Sequence, residues 1–297
     1  MKVKNSARYL LLYMQLFRVI TLITIYRIDI SYFYMAIKML LLFLISFFIY
    51  PNSSADQIPE LLEDDPVSAL LEKAEKSFES GEEEKALEIY LSILTQDPEN
   101  YDALWNTSFI YTRKGRRQTA YTSEEAYYRK AREFAQKTLD AHPDKPRSHY
   151  VFALASAGLA DEMPNSSERI QLIWDLKEFS ERALQMDPDF APAWHLKGVW
   201  HSKIANISRT ERMAAKILYG RLPDGASNKK AEEHLQRAIN MEQDVILFKL
   251  DLAQHYQETG QQKKAISLLE SVLDMTPTSQ NDHIDLKEAR ERYEELR

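Results

Sequence analysis

The sequence predicts an all-α fold in which antiparallel helical pairs stack into an elongated solenoid. Only 7 glycines occur in 297 residues, and long runs rich in Ala, Glu, Lys, Leu and Arg favour helix throughout. The second observation is a spacing, because Pro98, Pro143 and Pro188 follow one another at intervals of 45 residues. Such a recurrence indicates internal repeats, each of which buries its apolar face against the next.

Residues 67–100 match the pattern of a tetratricopeptide repeat, a helix–turn–helix unit. Small side chains are required where its two helices cross closely, and Ala74 and Ala86 occupy those places. Gly81 falls at the predicted turn, and Pro98 ends the second helix because proline has no amide hydrogen to donate. The last repeat, residues 246–280, has equivalent residues at these places: Ala253, Gly260, Ala265 and Pro277.

Three longer repeats lie between these two, at residues 101–145, 146–190 and 191–245. Each exceeds the usual 34 residues, and we expect the additional residues to lengthen helices or to add new ones. In the third of them, Ser208–Gly220 reads as a separate short helix that begins at a serine cap and stops at a glycine. Residues 281–297 are charged and periodic and predict a solubilising cap helix.

The first 55 residues predict a membrane-targeting region. Lys38 precedes a 12-residue apolar run, and small residues follow it, which is the layout of a secretory signal peptide over residues 35–55. In that interpretation residues 1–34 are possible untranslated sequence, and the protein is periplasmic or in the cell envelope. An alternative keeps residues 1–34 as part of a membrane anchor, and a third treats the segment as a buried helix. Residues 56–66 are polar and predict a linker.

Charge and motif content narrow the function classes. The net charge of the chain is −7. Residues 1–55 have a net charge of +5, so the rest of the chain has a net charge of −12. A region this acidic is a poor binder of nucleic acid. The chain lacks cysteine and the common signatures of hydrolases, nucleotide-binding enzymes and zinc proteases. We therefore expect no enzyme activity, no cofactor and no metal, and we interpret the histidines as ordinary helix residues.

A concave groove is the predicted functional surface. In tetratricopeptide arrays, fixed positions of each first helix point into this groove. Here they carry mostly apolar and aromatic side chains: Trp105, Phe109, Tyr150, Leu154, His195 and Val199, with Leu250 and Gln254 from the last repeat. An apolar groove of that size needs a ligand or a cover. The candidates for a cover are Met213, Ile217 and Leu218 of the inserted helix, and the alternative to a ligand is that inserted helices fill the groove as core.

The same stretches carry a family resemblance. HLKGVW and ANIS, followed by Glu211-Arg212, Ala215 and LYG, resemble the signature of the regulator of microtubule dynamics family, and ALWNTSFIY, SERIQ and TPTSQNDHIDLKEA support it. The resemblance covers about residues 101–297. It implies a tetratricopeptide-like domain without enzymatic activity, whose eukaryotic members associate with microtubules or sit at a mitochondrial membrane, tether it to the endoplasmic reticulum and bind phospholipid.

Two functional hypotheses follow. In the first, the chain is a membrane or envelope scaffold that holds a protein segment or a phospholipid in its groove, as a lipid-binding tether would. In the second, it is a self-filled solenoid that assembles an envelope complex through its outer faces. Direct microtubule binding is disfavoured because both the repeat region and tubulin are acidic.

Overall fold

The computed structural model describes residues 66–118, 121–163, 167–220, 222 and 224–297. The fold is all-α, as predicted, and the described residues contain twelve helices and no strand. None of these helices has both the length and the hydropathy needed to cross a bilayer. The predicted signal peptide and anchor, and the predicted linker up to residue 65, lie outside the described residues and stay predictions. The last residue of that linker, Pro66, is the first residue of a helix.

Each range predicted as a repeat contains one helical hairpin. The hairpins are α1 (Pro66–Glu79) with α2 (Glu83–Gln96), α3 (Tyr101–Arg116) with α4 (Tyr121–Ala141), α5 (Pro146–Asp161) with α6 (Ser167–Met186), α7 (Ala191–Asn206) with α9 (Asn228–Met241), and α10 (Ile246–Glu258) with α11 (Gln262–Leu273). The helix α8 (Arg209–Tyr219) lies between α7 and α9 in the chain, and α12 (Gln280–Leu296) is last.

Local signals set the helix ends. The Asn100 side chain accepts a hydrogen bond from the Ala103 amide at 3.0 Å and so caps α3. Ser279 and Asp282 form a reciprocal capping box at the start of α12. The inserted helix α8 ends before Gly220, whose φ of +89° breaks the helical path. The other inserted residues lengthen α4 to 21 residues and α6 to 20.

Small residues let the paired helices approach closely. Ala74, Ala86 and Ala131 are fully buried, and the Ser108 hydroxyl donates to the Ala131 carbonyl at 2.8 Å across the α3–α4 contact. At Gly198 in α7 there is no room for a side chain, because a Cβ there would lie 2.6 Å from Cγ of Leu235 in α9. The close crossings let larger side chains fill the spaces between repeats, where each buried Leu or Ile contributes about 1.5–3 kcal/mol.

The C-terminal helix α12 has a larger role than the solubilising cap that was predicted. Its residue Ala289 is fully buried in a cluster with Leu250 of α10. Arg292 of α12 donates to the side-chain oxygens of Gln254 and Gln257 at 3.1 Å each. Leu250 and Gln254 belong to the face predicted to line the groove, so α12 covers that face at the C-terminal end of the array.

A buried polar link joins α12 to the second repeat. Arg116, in the last turn of α3, pairs with Asp285 of α12, whose side chain is almost completely buried. Beside it, Arg117 Nη1 lies 2.6 Å from Asn281 Oδ1 and 2.6 Å from Glu83 Oε2. Because Glu83 belongs to α2, the link connects the first, second and last parts of the array, and it holds α12 in place.

Candidate partner-binding face

The N-terminal half of the predicted groove carries a cluster of aromatic side chains. Trp105 and Phe109 are half-buried on α3 with ring centroids 6.4 Å apart. Phe78 of α1 lies 6.1 Å from Phe109 and extends the cluster. The guanidinium of Arg147 lies 4.3 Å from the Trp105 ring centroid, and that of Arg113 lies 5.7 Å from Phe109. The structure therefore brings Trp105 and Phe109 together on a partly exposed surface.

The middle of the groove is packed into the protein more tightly than the sequence suggested. Tyr150 of α5 contacts Phe190 edge-to-face at 5.2 Å and packs against three of the apolar clusters between repeats. Burial raises the pKa of its hydroxyl well above the usual range. Leu154 packs partly buried against the cluster that contains Trp200. Both side chains are half-buried and contribute to packing between repeats, and their role in ligand binding stays a prediction.

The structure corrects the assignment of His195 to an open groove. Its side chain stacks on Phe248 at 4.5 Å, and His195 Nε2 lies 2.6 Å from Asp251 Oδ2. Burial opposes ionisation of Asp251, but the hydrogen bond and the charge of His195, with help from Arg116, lower its pKa overall. Val199 is half-buried against a cluster that includes Leu235. His195 therefore holds α7 to α10 and does not line an open surface. Val199 is half-buried, as Trp105 and Phe109 are, and its place in the groove stays a prediction.

The predicted cover is also corrected. Met213 and Ile217 are 64% and 76% exposed and do not pack over the groove, whereas the side chain of Leu218 lies outside the described residues. Arg212 donates to the Ile204 carbonyl at 2.7 Å and keeps α8 beside the end of α7. The helix contacts α6. The helix that covers the C-terminal half of the predicted groove is α12. The sequence did not predict this role, because residues 281–297 are highly charged.

Two pockets are relevant to this face. One of about 370 Å³ lies between α1, α2 and α3 and includes Trp105 in its wall. The other, of about 490 Å³, lies where α5, α6, α7 and α10 meet, and its rim carries the Asp161–Lys203 ion pair at 2.6 Å. The sequence did not predict the second pocket, because its walls come from four helices whose relative placement depends on the insertions.

Two histidines that are distant in the sequence meet between α7 and α9. The rings of His201 and His234 are 5.1 Å apart, but the described residues contain no group of three or more metal-ligand side chains. Burial is the main cause that lowers the pKa of each imidazole to about 4, and the nearby charges of Lys197 and Lys230 lower it further. Both rings are therefore neutral packing residues at physiological pH.

This pair predicts that stability falls on acidification. The imidazoles have their ordinary pKa of 6.5 in the unfolded chain and a pKa of about 4 in the folded chain. Between pH 6.5 and pH 4 the unfolded chain therefore binds protons that the folded chain does not bind, so the free energy of unfolding decreases as pH is lowered. At roughly 1.4 kcal/mol per pKa unit, the loss is up to about 3 kcal/mol for each ring. Asp285, whose pKa burial raises to about 6, partly offsets it.

Urea unfolding at pH 7.5 and pH 5 measures this dependence. The double variant His201→Gln/His234→Gln should show a clearly smaller difference between the two pH values than the unmodified chain. An equal difference in both proteins would show that these imidazoles do not control the acid response.

The array has two distinctive features. One is the added helix α8 in the fourth repeat, and the other is the C-terminal helix α12, which pairs with the end of α3. The family model described as regulator of microtubule dynamics protein 1-3 matches residues 70–297. The chain belongs to this family. The match begins within α1, so membership extends over the first repeat as well as over the region from residue 101 that the sequence motifs indicated.

Individual members of the family are distant relatives. Regulator of microtubule dynamics protein 1 of Bos taurus is 28% identical over 177 residues, which is 58% of this chain and 53% of the cattle protein. Its counterpart in Caenorhabditis elegans is 25% identical over 214 residues, which is 70% of this chain and 91% of the worm protein. The chain therefore spans about half the length of the cattle protein.

A solved structure agrees with the fold. A tetratricopeptide-repeat protein of Thermus thermophilus superposes with a TM-score of 0.54 at 16% identity, and the match covers 77% of this chain and 98% of that protein. At this identity the likeness concerns the fold alone. It shows that the hairpins stack as tetratricopeptide repeats.

Proposed function

We propose that this chain is a non-enzymatic binding module that holds a protein segment on the N-terminal half of its concave face. One observation carries the proposal: the aromatic cluster of Phe78, Trp105 and Phe109 stays partly exposed, whereas α12 covers the corresponding face of α10. Large, rigid aromatic side chains are the usual anchors of protein interfaces. A partner that occupied the C-terminal half would first have to displace α12.

The arginines beside the cluster favour a peptide ligand over a purely apolar one. Arg113 and Arg147 lie against the aromatic rings, and Arg113 is also held by Glu83 at 2.7 Å. Such a surface combines apolar contact area with fixed polar groups. The apolar area binds the side chains of a peptide, and the polar groups determine the orientation of the peptide.

Phospholipid binding is the second candidate, since the family resemblance implies it. The pocket of about 490 Å³ has apolar walls formed by Ile173, Leu176 and Ile204. However, its rim carries Asp161, Lys203 and Glu258, and these charged groups leave little continuous apolar wall for an acyl chain. A protein segment is therefore the ligand that the described surface accommodates better.

Location and partners of the whole protein are part of the same proposal. The apolar residues before position 56 would deliver the module to a membrane or to the cell envelope, either through a cleaved signal peptide or as a retained anchor. Cell fractionation tests this, because recovery of the chain in the soluble cytosolic fraction would contradict it.

Selection from a random peptide display library on the immobilised full chain tests the binding function. We expect enriched peptides that bind in solution and that lose at least about 30-fold in affinity on Trp105→Asp, the loss typical of an interface anchor. Circular dichroism of the variant should stay near that of the unmodified chain, because Trp105 is only half-buried.

The control is Met213→Asp, which introduces the same charge on the exposed face of α8 and should leave peptide affinity unchanged. Failure to enrich any peptide, or binding that survives Trp105→Asp, would contradict the proposal. Native mass spectrometry of the same preparation decides the second candidate, because retained phospholipid mass would support a lipid-binding module.

A further inference from the structure

The smaller pocket on the concave face has an unusual combination of walls. Phe78 and Trp105 form its aromatic sides, and three carboxylates, Glu75, Glu79 and Asp102, line it as well. No lysine or arginine is among the described side chains that line this pocket. The cavity of about 370 Å³ is large enough for one long side chain of a partner.

The buried Tyr90 shows that the three carboxylates act on one point. Tyr90 is 3% exposed and lines the pocket from α2. Its pKa is raised to about 12, mainly by burial and further by the negative charges of Glu75, Asp102 and Glu79. The charges of all three carboxylates therefore disfavour ionisation of the Tyr90 hydroxyl.

The Tyr90 hydroxyl also lacks a hydrogen-bond partner among the residues that the structure describes. The hydroxyl is not one of the enclosed polar atoms that the structure leaves without a partner, so it opens into the pocket, where water or a group of a ligand can bond it. This observation is independent of the acidic residues around it.

The charges that face the pocket are only partly compensated. Asp102 Oδ1 accepts from Trp105 Nε1 at 3.1 Å, which leaves its other oxygen available. Within the described chain, neither Glu75 nor Glu79 has a basic group within ion-pair distance. By contrast, the neighbouring Glu72 pairs with Lys76 at 2.6 Å. Arg147 and Arg113 lie over the Trp105 and Phe78 rings, 4.3 Å and 5.7 Å from the ring centroids, but neither forms an ion pair with Glu75 or Glu79.

We propose that this pocket receives a lysine or arginine side chain of the bound protein segment. The alkyl part of such a side chain packs along Trp105 and Phe78. The attraction of its charged end comes from the carboxylates, because Arg147 and Arg113 already lie over these two rings. Its nitrogen atoms donate to the carboxylates, and a charge-assisted hydrogen bond of this kind is about twice as strong as a neutral one. The inference rests on the proposed function, because it names the residue type that this same face selects in its partner.

A positional scanning peptide library tests the inference on the full chain. Each sub-library fixes one residue type, and we expect those that fix Lys or Arg to bind at least about tenfold better than those that fix Glu or norleucine. The double variant Glu75→Gln/Glu79→Gln keeps the shape of the pocket and removes two charges, and it should abolish this tenfold preference. The control Glu294→Gln/Glu295→Gln makes the same change in net charge on α12 and should preserve it.

Three outcomes separate the inference from the function on which it rests. Peptides that bind through Trp105 without any preference for Lys or Arg would overturn the inference and leave the binding module intact. No peptide binding at all would overturn both. Spermidine that competes as strongly as the cationic peptides would show a site for free amines and would overturn the assignment to a protein segment.

Discussion

Replacing Arg116 by alanine is expected to lower the free energy of unfolding by about 3–5 kcal/mol at pH 7.5, the usual cost of removing one partner from a buried ion pair. Asp285 would then be left buried without its cation, since its side chain is only 2% exposed. Burial already raises the pKa of Asp285 to about 6 even with Arg116 in place. The loss should therefore become smaller near pH 5, where Asp285 takes up a proton and its charge disappears.

Urea unfolding at both pH values measures this effect. Arg290→Ala is a matched control, because it removes an exposed arginine from α12 and should change stability by less than about 0.5 kcal/mol. The double variant Arg116→Met/Asp285→Leu should recover most of the loss, since an apolar pair does not leave an unpaired charge. A loss for Arg116→Ala no larger than that of the control would show that α12 does not depend on this link.

The second large effect is expected for Gly198→Ala, with a loss of about 1–3 kcal/mol from overpacking. Alanine in a helix is ordinarily more favourable than glycine by about 1 kcal/mol. Here the new Cβ would meet the Leu235 side chain at 2.6 Å and the Leu235 backbone nitrogen at 2.9 Å. A rotamer change of Leu235 cannot move its own backbone, so the two helices must separate.

Thermal unfolding of Gly198→Ala should show a decrease in Tm with little change in helical content. Gln185→Ala, at an exposed position of α6, is the control for an alanine substitution that meets no neighbour. Equal or higher stability of Gly198→Ala would mean that α7 and α9 are not in close contact at this point, and the tetratricopeptide geometry of the fourth repeat would need revision.

The repeat architecture could be predicted because its signals are local. Alanines at close crossings, glycines at turns and prolines behind second helices act over a few residues, and each has the same meaning wherever it occurs. Gly220 marked the end of α8 for the same reason, since a positive φ stops a helix whatever surrounds it. The family resemblance was readable on the same basis, from short motifs in fixed order.

The candidate site was predictable only in part. Trp105 and Phe109 do lie together on the open part of the face, whereas His195 is buried against Phe248 and Asp251. A position within one repeat specifies which way a side chain points. It does not specify what lies opposite, because that depends on how far neighbouring repeats rotate and on which helix comes back across them.

The amino-acid sequence by itself determined the all-helical class, the order of the hairpins and the family of this protein. Only the tertiary structure decided which half of the concave face is open. The decisive contacts, Arg116 with Asp285 and Arg117 with Asn281, join residues more than 160 positions apart along the chain. Residues 281–297 look like a solvated helix because they are charged, yet a charged side chain can be buried when its partner is supplied by a distant helix, and sequence spacing alone does not reveal that partner.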